Sequence, residues 1–196
     1  MGNRHARAPH DAIVTDMAPS KPLLGFVASL AVLLPGGALA AMTSSHTGKA
    51  AATAHSPLQS RELWATINVC NPKDQPDYVG VRGSMPGDSQ ARDRIFMRFR
   101  LQYLNRRSKH WADIVGAVTP EFLKIGTGSS ARQAGESFLV TPIAGKPAFT
   151  FRGLVEFQWR RGKTVLASAR RATTSGHRGA ARSDPAGFSA ATCLIG

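Results

Sequence analysis

The chain has 196 residues, with 25 Lys and Arg against 12 Asp and Glu, for a formal net charge of +13. That length suits one domain with room for a leader, and so basic a balance favours contact with anionic polymers or surfaces. With two Cys, and four of the six His ahead of residue 61, there is little material for a metal centre. A catalytic zinc site wants two or three His at fixed spacing, and no His-x-x-x-His occurs, so neither metal nor cofactor is expected.

Residues 23–34 form a short apolar run preceded by Lys21 and followed by Pro35-Gly36-Gly37 and Ala38-Leu39-Ala40. A positive flank, an apolar core, a helix breaker and an Ala-x-Ala site are the parts of a secretory signal peptide, which is expected over residues 1–40 with cleavage after Ala40. The run falls short of the roughly 20 residues a membrane-spanning helix needs, so no stable span is expected. Asp11 and Asp16 fit a signal peptide poorly, whereas Met17 opens an n-region of ordinary design; the translation start is therefore expected at Met17. Without Arg4, Arg7, Lys21, Asp11 and Asp16 the exported part keeps a net charge of +12. Residues 41–60, almost devoid of large apolar side chains, read as a disordered leader, and residues 61–196 as the folded domain.

Leu63, Ala65, Ile67 and Val69 alternate through residues 62–70, the first expected strand. A proline-containing loop leads to a short second strand at 78–82. Residues 94–104 form the longest one-sided strand: Ile95, Met97, Phe99, Leu101 and Tyr103 share one face, and Arg94, Phe96, Arg98, Arg100 and Gln102 the other. Successive side chains of a pleated strand point to opposite sides, so this pattern requires a covering layer. A weaker strand is expected at 110–115, a helical turn or strand entry at 119–123, a loop at 126–130 and a short strand at 136–141. The second long strand, 149–159, places Phe149, Phe151, Val155, Phe157 and Trp159 on one face, with Arg152, Glu156 and Gln158 opposite. Arg160-Arg161-Gly162-Lys163 makes a hairpin to 164–172, with Gly162 in the left-handed position of the turn. A loop rich in Gly, Ser, Ala and Arg at 173–187 and a last strand at 188–195 complete the chain. Short strands punctuated by turn signals, with no amphipathic helix, define an all-β domain: a single sandwich, or in the alternative a small closed β-barrel.

Export places the domain in an oxidising compartment, and Cys70 and Cys193 have no competitor within the chain, so they are expected to pair. Strict alternation, however, turns Cys70 away from the core face of its strand. Either that strand bulges before Asn71-Pro72 or the bridge lies on the surface. Arg94, Phe96, Arg98 and Arg100 form the candidate binding face, a place where Arg meets phosphate or carboxylate beside an aromatic ring. Arg152, Arg160, Arg161, Arg170 and Arg171 are further basic positions. The competing reading is a solvated strand face blunted by charge against edge-to-edge pairing. Asp74, Asp77 and Asp88 lack the Asp-x-Asp-x-Asp-Gly pattern of a calcium loop. A Ser/His/Asp set can be composed from the 173–187 loop with His177 and Asp184, but the Gly-x-Ser-x-Gly elbow is absent.

Leu63-Trp64-Ala65-Thr66-Ile67-Asn68-Val69-Cys70, the 79–86 segment Val-Gly-Val-Arg-Gly-Ser-Met-Pro and the 188–193 segment Phe-Ser-Ala-Ala-Thr-Cys resemble a group of exported proteins of high-GC Gram-positive bacteria. The resemblance covers residues 61–196 and implies an immunoglobulin-like sandwich; it supplies no catalytic or binding residue. The expectation is an exported, non-enzymatic binding module at the cell envelope or outside the cell. Its partner would be an anionic envelope polymer or polysaccharide, with no specific nucleic acid. A secreted hydrolase with its site in the 173–187 loop and a purely structural domain are the alternatives.

Overall fold

Two long strands with complementary apolar faces organise the domain, and in the computed structural model they lie side by side. The structure describes residues 56–196; the expected signal peptide and most of the expected leader lie outside the described residues. The described chain starts with a single 3-10 turn, Pro57–Gln59, capped by the Ser56 hydroxyl and tied to the domain by Arg171, which donates to the Leu58 carbonyl. The last residues of the expected leader, 56–60, thus include this turn.

The strands are β1 Trp64–Cys70, β2 Tyr78–Met85, β3 Gln90–Leu104, β4 Trp111–Val118, β5 Leu123–Gly128, β6 Arg132–Leu139, β7 Phe149–Arg161, β8 Thr164–Ala172 and β9 Cys193–Ile195. They form two packed antiparallel sheets. One is three-stranded, β1-β2-β6; the other is six-stranded, β4-β3-β7-β8, with β5 also on β3 and β9 also on β7. The chain crosses between sheets after β2, β5 and β6, and stays within one at the β3–β4 and β7–β8 hairpins. This is the Greek-key wiring of immunoglobulin-like sandwiches, and the closed barrel is thereby excluded. Ile95, Met97, Phe99 and Leu101 of β3 and Val155, Phe157 and Trp159 of β7 meet Ala65, Ile67, Val79, Val81 and Met85 in one core. Burying side chains of this size stabilises by about 1.5–3 kcal/mol each. Trp159 is buried with its Nε1–H donated to the Pro86 carbonyl at 3.0 Å, which removes the cost of an unpaired indole donor. The β7–β8 turn is Gly162-Lys163, with Gly162 at φ 55°.

Two expectations are corrected. The 126–130 loop is in part strand, because β5 continues the β4 edge along β3: Ile95 pairs with Gly126 and Phe96 with Lys124. Pairing with a long neighbour overrides the weak strand preference of a Gly/Thr stretch. Between Asp113 and Val118 that edge bulges outward, since only Arg100 to Gln102 of β3 lie opposite. The expected last strand shrinks to Cys193–Ile195, with Ala190 making a single bridge to Ile67.

The parity problem at Cys70 resolves into a bulge. Ile67 pairs with Val81 but Val69 pairs with Gly80, so Asn68 is the extra residue. Every side chain after it changes face. Val69 turns outward and Cys70, opposite Val79, turns to the core, where it is disulfide-bonded to Cys193 with a Cα–Cα distance of 5.5 Å. The bond joins β1 of the small sheet to β9 of the large one. Gly80 permits the bulge, since a Cβ there would sit 2.8 Å from the Val69 Cβ.

Candidate functional site

The outer face of the large sheet collects the basic side chains. Register across β3 and β7 sets Arg94 beside Arg160, Phe96 beside Gln158, Arg98 beside Glu156 and Gln102 beside Arg152. β8 brings Arg170 opposite Glu156, β4 brings Asp113 opposite Gln102 and β5 brings Lys124 opposite Phe96. Glu156 is the centre. It accepts from Arg98 Nε at 2.6 Å and from Arg170 Nη2 at 2.7 Å, and Arg100 Nε stands 3.5 Å away. Burial pushes the Glu156 carboxyl up, but these hydrogen bonds and charges outweigh it and hold the group below the usual glutamate range. Asp113 is lowered in turn, first by the Gln102 amide at 2.8 Å and then by Arg100 Nη1 at 2.9 Å.

Aromatic rings order the remaining guanidiniums. Arg160 lies over Phe96 at 4.4 Å and over Phe122 at 5.0 Å, Arg98 over Phe122 at 4.8 Å, and Arg152 over Trp111 at 4.4 Å. A guanidinium stacked by its face keeps its N–H edge free to bond elsewhere. A shallow hollow of about 430 Å³ opens among Arg98, Phe122, Gln158, Ser168 and Arg170.

Of the expected binding residues, Arg98 and Arg100 point into this network. Phe96 lies under Arg160 rather than open to a ligand, and Arg94 bends back to the carbonyls of Ala91 and Asp93. Arg152, Arg160 and Arg170 join the face. Arg161 turns away to a bidentate pair with the buried Asp93, at 2.7 and 2.9 Å, whose hydrogen bonds lower the Asp93 carboxyl. Gln102, already placed on this face by alternation along 94–104, joins the site, and Glu156, Asp113, Trp111 and Phe122 are members that sequence reasoning did not single out. The only advance signal was alternation along 149–159, which set Arg152, Glu156 and Gln158 on one face.

The 173–187 loop covers the outer face of the small sheet. Asn68 Nδ2 donates to the carbonyls of Ala181 and Arg182, and Gln133 bonds Gly179 and Ala181. His177 stacks on Trp64 at 4.5 Å, and its Nε2 pairs with the Thr174 hydroxyl at 2.8 Å. Ser189 Oγ takes the His177 backbone N–H instead of the ring, and Asp184 donates its own N–H to the Asn68 carbonyl. Burial lowers the His177 pKa. Among the described residues no group of three or more His, Cys, Asp or Glu is placed to hold a metal ion. Asp88 caps its own turn through the Gln90 N–H, and the Asp77 N–H goes to Asn71.

A larger groove, about 1400 Å³, runs between the β4 bulge and β6, the end strand of the small sheet, and continues round the β6 margin to Arg82 and Arg182.

No family model matches the chain, and no curated protein matches it. Among solved structures it is similar to the Pseudomonas fluorescens alkylpurine DNA glycosylase AlkC bound to DNA containing an abasic site analog, at 14% identity and a TM-score of 0.31. That similarity covers 57% of this chain and 29% of the other, and at this score it carries no argument. Among the described residues no helix is long and apolar enough to cross a membrane.

Proposed function

We propose that the protein is an exported, non-enzymatic β-sandwich that binds anionic polymers at the cell envelope or outside the cell. One observation carries this reading. Among the described residues, Arg94, Arg98, Arg100, Lys124, Arg152, Arg160 and Arg170 share a continuous sheet face with only two opposing carboxylates, Glu156 and Asp113. Ring stacking holds several of these guanidiniums in place before a ligand arrives, so less ordering entropy is lost on binding. The disulfide and the signal-like segment support an oxidising destination.

The test is retention of the full chain on immobilised heparin across a salt gradient. Arg152→Gln, Arg160→Gln and Arg170→Gln combined should elute at clearly lower salt than a control in which Arg61, Lys73 and Arg178, all exposed and outside the strands of the large sheet, are changed to Gln. Equal elution of the two triple variants would reduce the effect to net charge and overturn the assignment of this face.

A further inference from the structure

The groove at the β6 margin has the composition of a ligand site. Its floor is apolar, with Leu123, Phe138, Phe149 and Phe151, and its rim carries the exposed side chains Val115, Leu139 and Ile143. Apolar side chains gathered around a concave apolar floor mark a binding site more often than scattered ones do. Round the β6 edge, on the outer face of the small sheet where Arg82 passes over Gly135, stand two cations. Arg82 is 7% exposed, its Nε is buried without an acceptor, and no described residue forms an ion pair with it. Burial and the like charge of Arg182 pull its pKa down to about 10. Its place is fixed: β6 offers Gly135 opposite it, and a Cβ there would stand 3.0 Å from the Arg82 Cζ. Glu136, the one carboxylate among the described residues of the groove wall, pairs in register with Val81 and so shares the inner face of the small sheet with Phe138, across the sheet from Arg82.

A buried cation beside a second cation is unfavourable unless an anion completes it. The other residues on the outer face of β2, Tyr78, Gly80 and Ser84, are uncharged. We infer that the groove binds an amphiphile with one anionic head group, its acyl-type chain on the apolar floor and its head on Arg82 and Arg182. A polyanion fits poorly here, since the cations stand round the β6 edge from an apolar surface and a repeating charge would have nothing further to meet. The site is separate from the basic face of the large sheet.

Calorimetric titration of the full chain at pH 8 with sodium decanoate, sodium octanoate, sodium acetate and decyltrimethylammonium, all below their micelle concentrations, tests this. Decanoate should bind about tenfold more tightly than octanoate, since each buried methylene contributes roughly a factor of four when fully covered and less in an open groove. Acetate and the cationic amphiphile should show no saturable binding. Arg82→Gln and, separately, Arg182→Gln should each weaken decanoate by about tenfold or more. Arg182→Gln keeps the backbone carbonyl that Asn68 holds, so it remains informative if Arg82→Gln folds poorly. Ligand-free Arg82→Gln should melt at or above the wild-type temperature, the reverse of what a structural arginine would give. Equal binding of the cationic amphiphile, undiminished binding by both variants, or binding to phosphatidylglycerol vesicles with none to monomeric decanoate would each overturn the inference.

Discussion

Removing the Cys70–Cys193 bond by Cys70→Ala with Cys193→Ala should be the most destabilising change that leaves the fold's pattern intact. The cysteines are separated by 123 positions. Chain-entropy reasoning for a loop of that length gives about 16 cal/mol/K, or about 4.9 kcal/mol at 25 °C, lost from the denatured state. The native state contributes little against this, because Cys193 pairs with Phe151 through the backbone whether or not the sulfurs are joined. A domain of this size has a total stability of about 7–14 kcal/mol, so the bond accounts for a third or more. With a urea m-value of about 2 kcal/mol/M, the midpoint should fall by about 2.5 M. Equilibrium urea unfolding followed by tryptophan fluorescence measures it, with Trp159 as the buried reporter. A midpoint shift under about 0.5 M would refute the reasoning, because the open chain would then gain little freedom on losing its longest closure.

Gly153→Ala should destabilise by about 1–3 kcal/mol in the same assay, since the added Cβ would lie 2.5 Å from Val81 Cγ1 and 2.8 Å from Thr173 Cγ2. Glu156→Gln should strengthen heparin retention at low salt, because it removes the central carboxylate of the face, and the gain should vanish at high salt where exposed charges are screened. Unchanged retention would mean the polymer does not reach β7. Thermal stability should fall in acid. The depressed carboxyls of Glu156 and Asp113 contribute stability that is fully present above their ordinary values, 4.5 and 3.8, and is lost as pH drops through the lower folded values. Asp88, raised by burial and by its neighbour Asp93, acts in the opposite sense and softens the fall. Glu156→Gln should therefore flatten the melting-temperature profile below pH 4.5. A profile parallel to wild type would contradict the assignment.

Alternation made the two long strands legible because β3 and β7 are covered on one side only, so their faces differ sharply in composition. Edges were harder. β5 carries Gly126 and Gly128 and is a strand only because β3 extends far enough to pair with it. The basic face was half legible. Arg98 and Arg100 announced themselves on one strand, but Glu156 becomes their partner only through the β3–β7 register, and Arg170 only through the next strand. Arg82 gave no warning. In the sequence it ends a short apolar run and looks like a solvated terminus. In the fold it is buried, because residues 181 and 182 of a distant loop lie over its sheet.

That loop leads back to a single residue. Asn68 is the insertion in β1, and its displacement from the ladder leaves its side chain free to take the carbonyls of Ala181 and Arg182 while its own carbonyl accepts the Asp184 N–H. The same insertion turns Cys70 inward to meet Cys193. One bulge therefore fixes the closure of the sandwich and also the position of Arg182 against Arg82. Drawing Asn68 into the ladder would restore strict alternation, put Val69 on the core face and turn Cys70 outward, away from Cys193. The bridge and the cation pair would be lost together, although neither Cys70 nor Arg82 had changed. A β1 with unbroken alternation would be a better strand by every local rule and would serve this fold worse.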